Sequence, residues 1–128
     1  MDKTPIIITA AIIESGGKLL IAKRSEGSAK GKWEFPGGKM EYGETAEACL
    51  KREIQEELGC EIRVGALFDV TTFIASDGRH LVIIFYNCSV TAGTPHAKEH
   101  EEILWVLSKD LMNYDFTKAD SEAMKRLM

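Results

Sequence analysis

Three shortages in this sequence each remove a class of function. There is no basic surplus: 16 lysines and arginines stand against 20 acids, leaving a net charge of −4 and a pI near 5.4. A protein that coats long nucleic acids needs a basic stripe to displace counterions, so a nucleic-acid polymer is not an expected partner. There is no long apolar run, and nothing approaches the ~20 residues needed to cross a bilayer, so no membrane association is expected. Cysteine is scarce: Cys49, Cys60 and Cys88 are odd in number and form no C-x-x-C pair. Neither a disulfide framework nor a thiolate zinc site follows, and buried free thiols are expected. The three histidines, His80, His96 and His100, share no metal-ligand spacing either.

What is present is an ordinary globular composition, 45% hydrophobic and 28% charged over 128 residues. That length suits one domain spanning 1–128. The opening MDKTPIIITAAIIESGG has one early lysine and an apolar run, faintly like a secretion signal. Asp2 precedes the run and no small-residue cleavage site closes it, so Met1 onward is expected to be a mature, cytoplasmic chain.

PIIITAAIIESGGKLLIAKR reads as two β-branched runs around Ser15-Gly16-Gly17, predicting strands near 5–13 and 18–24 joined by a tight hairpin. SEGSAKGK is a polar loop, and WEFP a short extended piece stopped by Pro36 and Gly37. Good helix formers from Glu44 to Leu58, with acids at the start and Gly59 at the end, predict the clearest helix. EIRVGALFDVTTFIA, SDGRH and LVIIFYNCSV read as strand, turn and strand; TAGTPHAKEHEE as a loop; ILWVL as a short strand. A last helix is expected from an N-cap at Thr117, with Ala119, Ala123, Met124 and Leu127 at helical spacing. Strands on either side of a central helix, with a second helix at the end, predict an α/β (α+β) sandwich built on a mixed sheet.

The central helix poses an electrostatic problem. At 100° per residue Leu50, Ile54 and Leu58 form one stripe, and Glu53, Glu56 and Glu57 form the next. Two carboxylates ~6 Å apart repel by roughly 0.7 kcal/mol in water and about 3 kcal/mol at an effective dielectric of 20. A hard divalent cation reverses the sign of that energy, because Mg²⁺ takes oxygen ligands of this kind. The alternative is a solvated acidic face with Arg52 paired to Glu56 at i, i+4.

Spacing bears on the choice. Gly38, five residues, Glu44, seven residues, Arg52-Glu53-Ile54, Gln55, Glu56-Glu57, Leu58, Gly59 resembles the signature of the Nudix hydrolases, G-x5-E-x7-R-E-U-x-E-E-x-G-U, where U is a bulky aliphatic residue. Only Cys60 departs, standing in the last aliphatic position, and cysteine is itself a small buried hydrophobe. The resemblance implies an α/β/α sandwich and hydrolysis of a nucleoside diphosphate linked to another group, with Mg²⁺ or Mn²⁺. It implies Glu53, Glu56 and Glu57 as metal ligands beside a backbone carbonyl of Gly37 or Gly38. Glu44 and Arg52 would stand behind them, Arg52 orienting the carboxylates through its planar fork of donors. The base that deprotonates the attacking water would be Glu53 or Glu56, or a glutamate in the later loop, where Glu99 matches best and Glu101 and Glu102 are neighbours.

GKWEFPGGKMEYGET and DGRHLVIIFY further resemble the MutT branch and its cytidine-nucleotide-hydrolysing relatives. The implied substrate is a nucleoside triphosphate, cut to monophosphate and pyrophosphate, with oxidised guanine and cytosine both open as the base. Candidates for its binding are Phe35 as a stacking face, Arg79 as a cationic partner, and Asp120 as an acceptor for amino or ring N–H groups. Arg24 and Lys39 are candidates near phosphate. Each has a plainer reading: Phe35 as core, Arg79 and Arg24 as solvated cations, Asp120 as the acid of a capping box begun by Thr117. Hydrolysis of ADP-ribose or a nucleotide sugar is the second enzymatic reading; a nucleotide sensor without turnover is the reading from another class. A monomer or a homodimer is expected.

Overall fold

The computed structural model describes residues 3–128; Met1 and Asp2, read above as the start of the mature chain, lie outside the described residues. Strand β1 (Ile6–Ser15) is the spine. One of its edges runs parallel to β6 (His80–Ala92) over Ile6 to Ile13, and β6 pairs in turn with β5 (Glu61–Ile74), antiparallel. The other edge is shared. β4 (Gly37–Lys39) pairs antiparallel with Ile8 to Ala10, and β2 (Lys18–Lys23) pairs only with Glu14 and Ser15. β2 then carries β3 (Trp33–Glu34) and β7 (Glu102–Leu107) on its two sides. The seven strands therefore make one mixed sheet that forks at β1.

Helix α1 (Ala46–Leu58) covers one face and α2 (Lys118–Arg126) the other, confirming the sandwich. Because successive side chains of a strand point to opposite faces, β1 feeds two cores. Ala11 and Ile13 meet Leu50, Ile54 and Leu58 of α1, while Ala10 and Ile12 belong with Phe85, Phe116, Ala123 and Met124. ILWVL is apolar throughout for the same reason: Ile103 and Trp105 lean on the α1 core, Leu104 and Val106 on the other.

Three expectations change. The helix starts at Ala46, because Thr45 caps it with its hydroxyl accepting from Ala48 N–H, and Glu44 therefore lies before the helix. WEFP does not end the extended segment: Gly37–Lys39 continues as β4, so residues 33–39 cross from the edge of β2 to the edge of β1. At the crossing Pro36 offers its carbonyl to Ala11 N–H. The segment has no room for a side chain at Gly37, where a Cβ would overlap the backbone of Thr9 in β1. Ser108–Asn113, where no element was expected, forms a 3₁₀ turn around buried Leu111.

The α1 stripe predicted from periodicity is fully buried, with Leu50, Ile54 and Leu58 each at 0% exposure. Leu50→Ala is expected to cost about 2–5 kcal/mol, read as a lower urea midpoint with an unchanged m-value.

Candidate active site

The crossing segment, the second half of α1 and the loop before β7 meet in one place. The glycines come first. Gly38 lies so close beneath the Glu53 carboxylate that an added Cβ would displace the end of that side chain. Its carbonyl accepts from the Thr9 hydroxyl at 3.5 Å and the Cys49 thiol at 3.7 Å.

Arg52 organises the acids. Nε donates to Glu44 Oε2 at 2.7 Å and Nη2 to Glu44 Oε1 at 2.9 Å. Nη1 donates to Glu53 Oε1 at 2.8 Å and to Glu56 at 3.3 Å, and Nη2 reaches the Lys39 carbonyl at 3.2 Å. The guanidinium, followed by the Glu41 backbone N–H, holds the Glu44 carboxyl down at about 2. The Arg52–Glu56 pair of the plainer reading exists, but as one arm of a fork that also grips Glu44 and Glu53.

Glu57 is the outlier. It is 7% exposed, and its Oε1 has no hydrogen-bond partner. Burial, then the nearness of Glu53, then the charges of Glu34 and Glu99 push its carboxyl well above the usual carboxylate range. A buried carboxylate among like charges is strongly disfavoured unless something positive joins it. A divalent cation fits this donor set: hard oxygens, one of them orphaned, over a glycine cradle. Among the described residues no three acid, histidine or cysteine side chains already stand at the spacing of a complete metal shell. Arg52 holds Glu53 and Glu56 against its own guanidinium.

Glu99 lies in the loop between β6 and β7, and that loop is tied down. Ser25 Oγ donates to the Glu99 carbonyl at 2.7 Å, Lys98 N to the Glu57 carbonyl at 3.2 Å, and His96 N to the Leu58 carbonyl at 3.0 Å. Its charge acts on Glu57, so the structure brings Glu99 to the box glutamates.

At the other end of the crossing segment stands Asp120, 5% exposed. Thr117 does cap α2, accepting from Asp120 N–H at 3.3 Å. The acid does not complete the capping box. Asp120 Oδ2 instead accepts the Phe35 N–H at 2.8 Å, and Thr117 N–H bonds to the Trp33 carbonyl. Burial first, then the charge of Glu34, raises the Asp120 carboxyl to about 7.

Two candidates do not reach the site as expected. Phe35 is a core ring at 3% exposure, packed edge-on to Phe85 at 6.3 Å and tilted against Phe116 at 5.2 Å, so it presents no open stacking face. Arg79 sits on the β5–β6 turn, where Nε pairs with Asp77 at 2.8 Å. Arg24 pairs with Glu34 at 2.9 Å, and Lys39 is exposed on β4. Glu34 and His100 escaped the sequence reading. Glu34 lay inside the quoted WEFPGG stretch, while His100 had no signal beyond standing next to Glu99.

An acidic helix on a forked mixed sheet, with a buried carboxylate left unpartnered, is the arrangement to be placed in a class, and comparison with known proteins gives its family. A profile of the NUDIX domain matches residues 3–127. The CTP pyrophosphohydrolase of Escherichia coli strain K12 is 34% identical over 96% of this chain and 91% of its own. An 8-oxo-dGTP diphosphatase of Haemophilus influenzae is 33% identical over 100% and 95%. The crystal structure of a MutT NUDIX hydrolase from Burkholderia pseudomallei superposes with a TM-score of 0.89 at 30% identity, covering 98% of this chain and all of that one. This chain belongs to the Nudix family of hydrolases. The family uses divalent metal ions. Among the described residues no helix is long and apolar enough to cross a membrane.

The raised Asp120 carboxyl makes stability depend on pH. An acid whose folded value, about 7, exceeds its unfolded 3.8 binds its proton more tightly in the native state. Its contribution is therefore most favourable below 3.8, falls as pH rises toward 7, and levels off above. Asp120→Asn should unfold near the wild-type temperature at pH 4 and several degrees above it at pH 8; parallel pH profiles in a thermal melt would refute this assignment.

Proposed function

We propose that this protein is a MutT-like nucleoside triphosphate pyrophosphohydrolase that uses Mg²⁺ or Mn²⁺ and releases nucleoside monophosphate and pyrophosphate. The observation that carries the reading is the orphaned, buried Glu57 carboxylate beside Glu53, whose own carboxylate lies directly over Gly38.

Glu53, Glu56 and Glu57, with a carbonyl of Gly37 or Gly38, hold the cation. When bound, it supplies neutralisation of the polyphosphate and acidification of water. Arg52 keeps Glu53 and Glu56 in register with Glu44 behind it. Glu99 takes the proton of the attacking water. Glu53 and Glu56 have oxygens engaged by Arg52 at 2.8 and 3.3 Å, whereas the Glu99 loop is fixed through its backbone, leaving the carboxylate free to act. One water is consumed as the bond between the α- and β-phosphoryl groups breaks, and pyrophosphate carries away the negative charge. Arg24, just past the end of β2, and Lys39, next to the glycines on β4, meet phosphate.

Asp120 reads the base. With a carboxyl value near 7 it presents acceptor and donor forms in comparable amounts at neutral pH, so it can face the amino group of cytosine or a ring acceptor. Both the cytidine and the oxidised-guanine relatives are consistent with such a group. The protein works in the cytoplasm, in keeping with three free, buried cysteines. The sensor reading is disfavoured because every box glutamate is retained. The ADP-ribose or nucleotide-sugar reading is separated by product: phosphate appears from triphosphates only after added pyrophosphatase, but from sugar products only after added phosphatase.

Glu53→Gln and Glu57→Gln should each lower kcat on the preferred triphosphate by about 100-fold or more, and wild-type rates in both would overturn the assigned roles. Asp120→Asn should change the ratio of kcat/KM between guanine and cytosine nucleotides far more than kcat itself; an unchanged ratio removes Asp120 from base recognition.

A further inference from the structure

Glu99 stands on a short stretch of chain that two separate elements hold. On one side, the carbonyls that the end of α1 leaves open accept from this loop: Leu58 from His96 N–H at 3.0 Å and Glu57 from Lys98 N–H at 3.2 Å. The loop sits directly on the helix cap, where a Cβ added at Gly59 would meet the His96 ring. On the other side is β2, whose ladder with β7 runs from Lys18 opposite Leu107 to Lys23 opposite Glu102. The Lys23 carbonyl extends that ladder by accepting Glu101 N–H at 2.9 Å. There the backbone after β2 turns to other partners. Arg24 N–H donates to the Lys32 carbonyl and the Arg24 carbonyl accepts from Gly31 N–H, both at 2.9 Å. A side chain makes the next tie: Ser25 Oγ donates to the Glu99 carbonyl at 2.7 Å, across 74 residues of sequence.

We propose that Ser25 is a positioning residue for Glu99, its hydroxyl holding the Glu99 backbone to the end of β2 so that the carboxylate is presented to the box glutamates. This rests on the reading of Glu99 as the group that takes the proton of the attacking water. The ties at Lys98 N–H and at the Glu99 carbonyl bracket the Glu99 Cα, and with planar peptides only the φ and ψ of two residues lie between them. Together they set the direction in which the side chain leaves the backbone, and the charge so placed is felt at Glu57. Ser25 is exposed, so water alone would satisfy its hydroxyl; it is spent instead on the backbone of this one loop residue. A reacting group held slightly out of line loses rate without losing substrate affinity.

The test is a double-mutant cycle of Ser25 and Glu99 on the full chain. It is read by steady-state kinetics with Mg²⁺ on CTP or 8-oxo-dGTP, whichever turns over faster, and by amide hydrogen exchange of the metal-free protein. Glu99→Gln should lower kcat by about 100-fold or more. A wild-type kcat there refutes the base reading of Glu99, and the role of Ser25 falls with it. Ser25→Ala should lower kcat about 3–10-fold with KM unchanged, the loss expected of one hydrogen bond, while Ser25→Thr, which keeps the hydroxyl, stays within about two-fold of wild type. In the Glu99→Gln background Ser25→Ala should have no further effect on kcat. Without metal, Ser25→Ala should speed exchange at the Lys98 and Glu101 amides, and Ser25→Thr should not. If Glu99→Gln is impaired while Ser25→Ala keeps wild-type kcat and exchange, Ser25 has no such role and the base reading stands. Fully additive losses in the double mutant, equal losses in Ser25→Ala and Ser25→Thr, or a raised KM at constant kcat, which would place the effect on neighbouring Arg24, would each overturn the proposal.

Discussion

The arrangement of the site depends on the guanidinium of Arg52. Four carboxylates, Glu41, Glu44, Glu53 and Glu56, lie within 4 Å of it. Without a cation among them, three glutamates on adjacent turns of one helix would repel at close range. A lysine would not substitute: its single compact charge cannot hold Glu44 with two parallel bonds while a third nitrogen reaches Glu53. Arg52 is itself well placed to do this because Glu44 stops short of the helix. Thr45 takes the cap, and Glu44 is free to fold back over the first turn.

The second constraint is the crossing segment of residues 33–39. It starts on β2, ends on β1, and so passes over the fork in the sheet. At one end Phe35 N–H binds Asp120; at the other Gly38 touches Glu53; between them Glu34 holds Arg24 and His100. The acids Glu57 and Asp120 are both buried, both feel Glu34, and both are pushed toward their protonated forms. Neither placement helps the folded state. Groups so disfavoured persist only where surrounding structure over-determines them, and such groups gather at sites that bind or react.

The comparison between sequence and structure is clearest on α1. The buried stripe of Leu50, Ile54 and Leu58, the cap at Gly59 and the adjacent acidic stripe all follow from a 3.6-residue period and were legible without coordinates. The Nudix resemblance rested on the same local regularity, because a helix translates fixed spacing into fixed geometry. Phe35 shows where that stops. As an aromatic in a conspicuous stretch it could be pocket or core, and only the rings of Phe85 and Phe116, far away in the chain, make it core. Asp120 is similar: its local spacing with Thr117 indicated a capping box, but Phe35 N–H, 85 residues away in sequence, claims its carboxylate.

Local periodicity and spacing determined the helices, the hairpins, the acidic face and the family, because each depends on residues within a few positions of one another. Only the tertiary structure decided which acids are buried, that Glu99 stands by Glu57, and that His100 and Glu34 belong to the site. Burial and long-range contact are set by how the crossing segment, α1 and the loop before β7 converge, and no local pattern encodes that convergence.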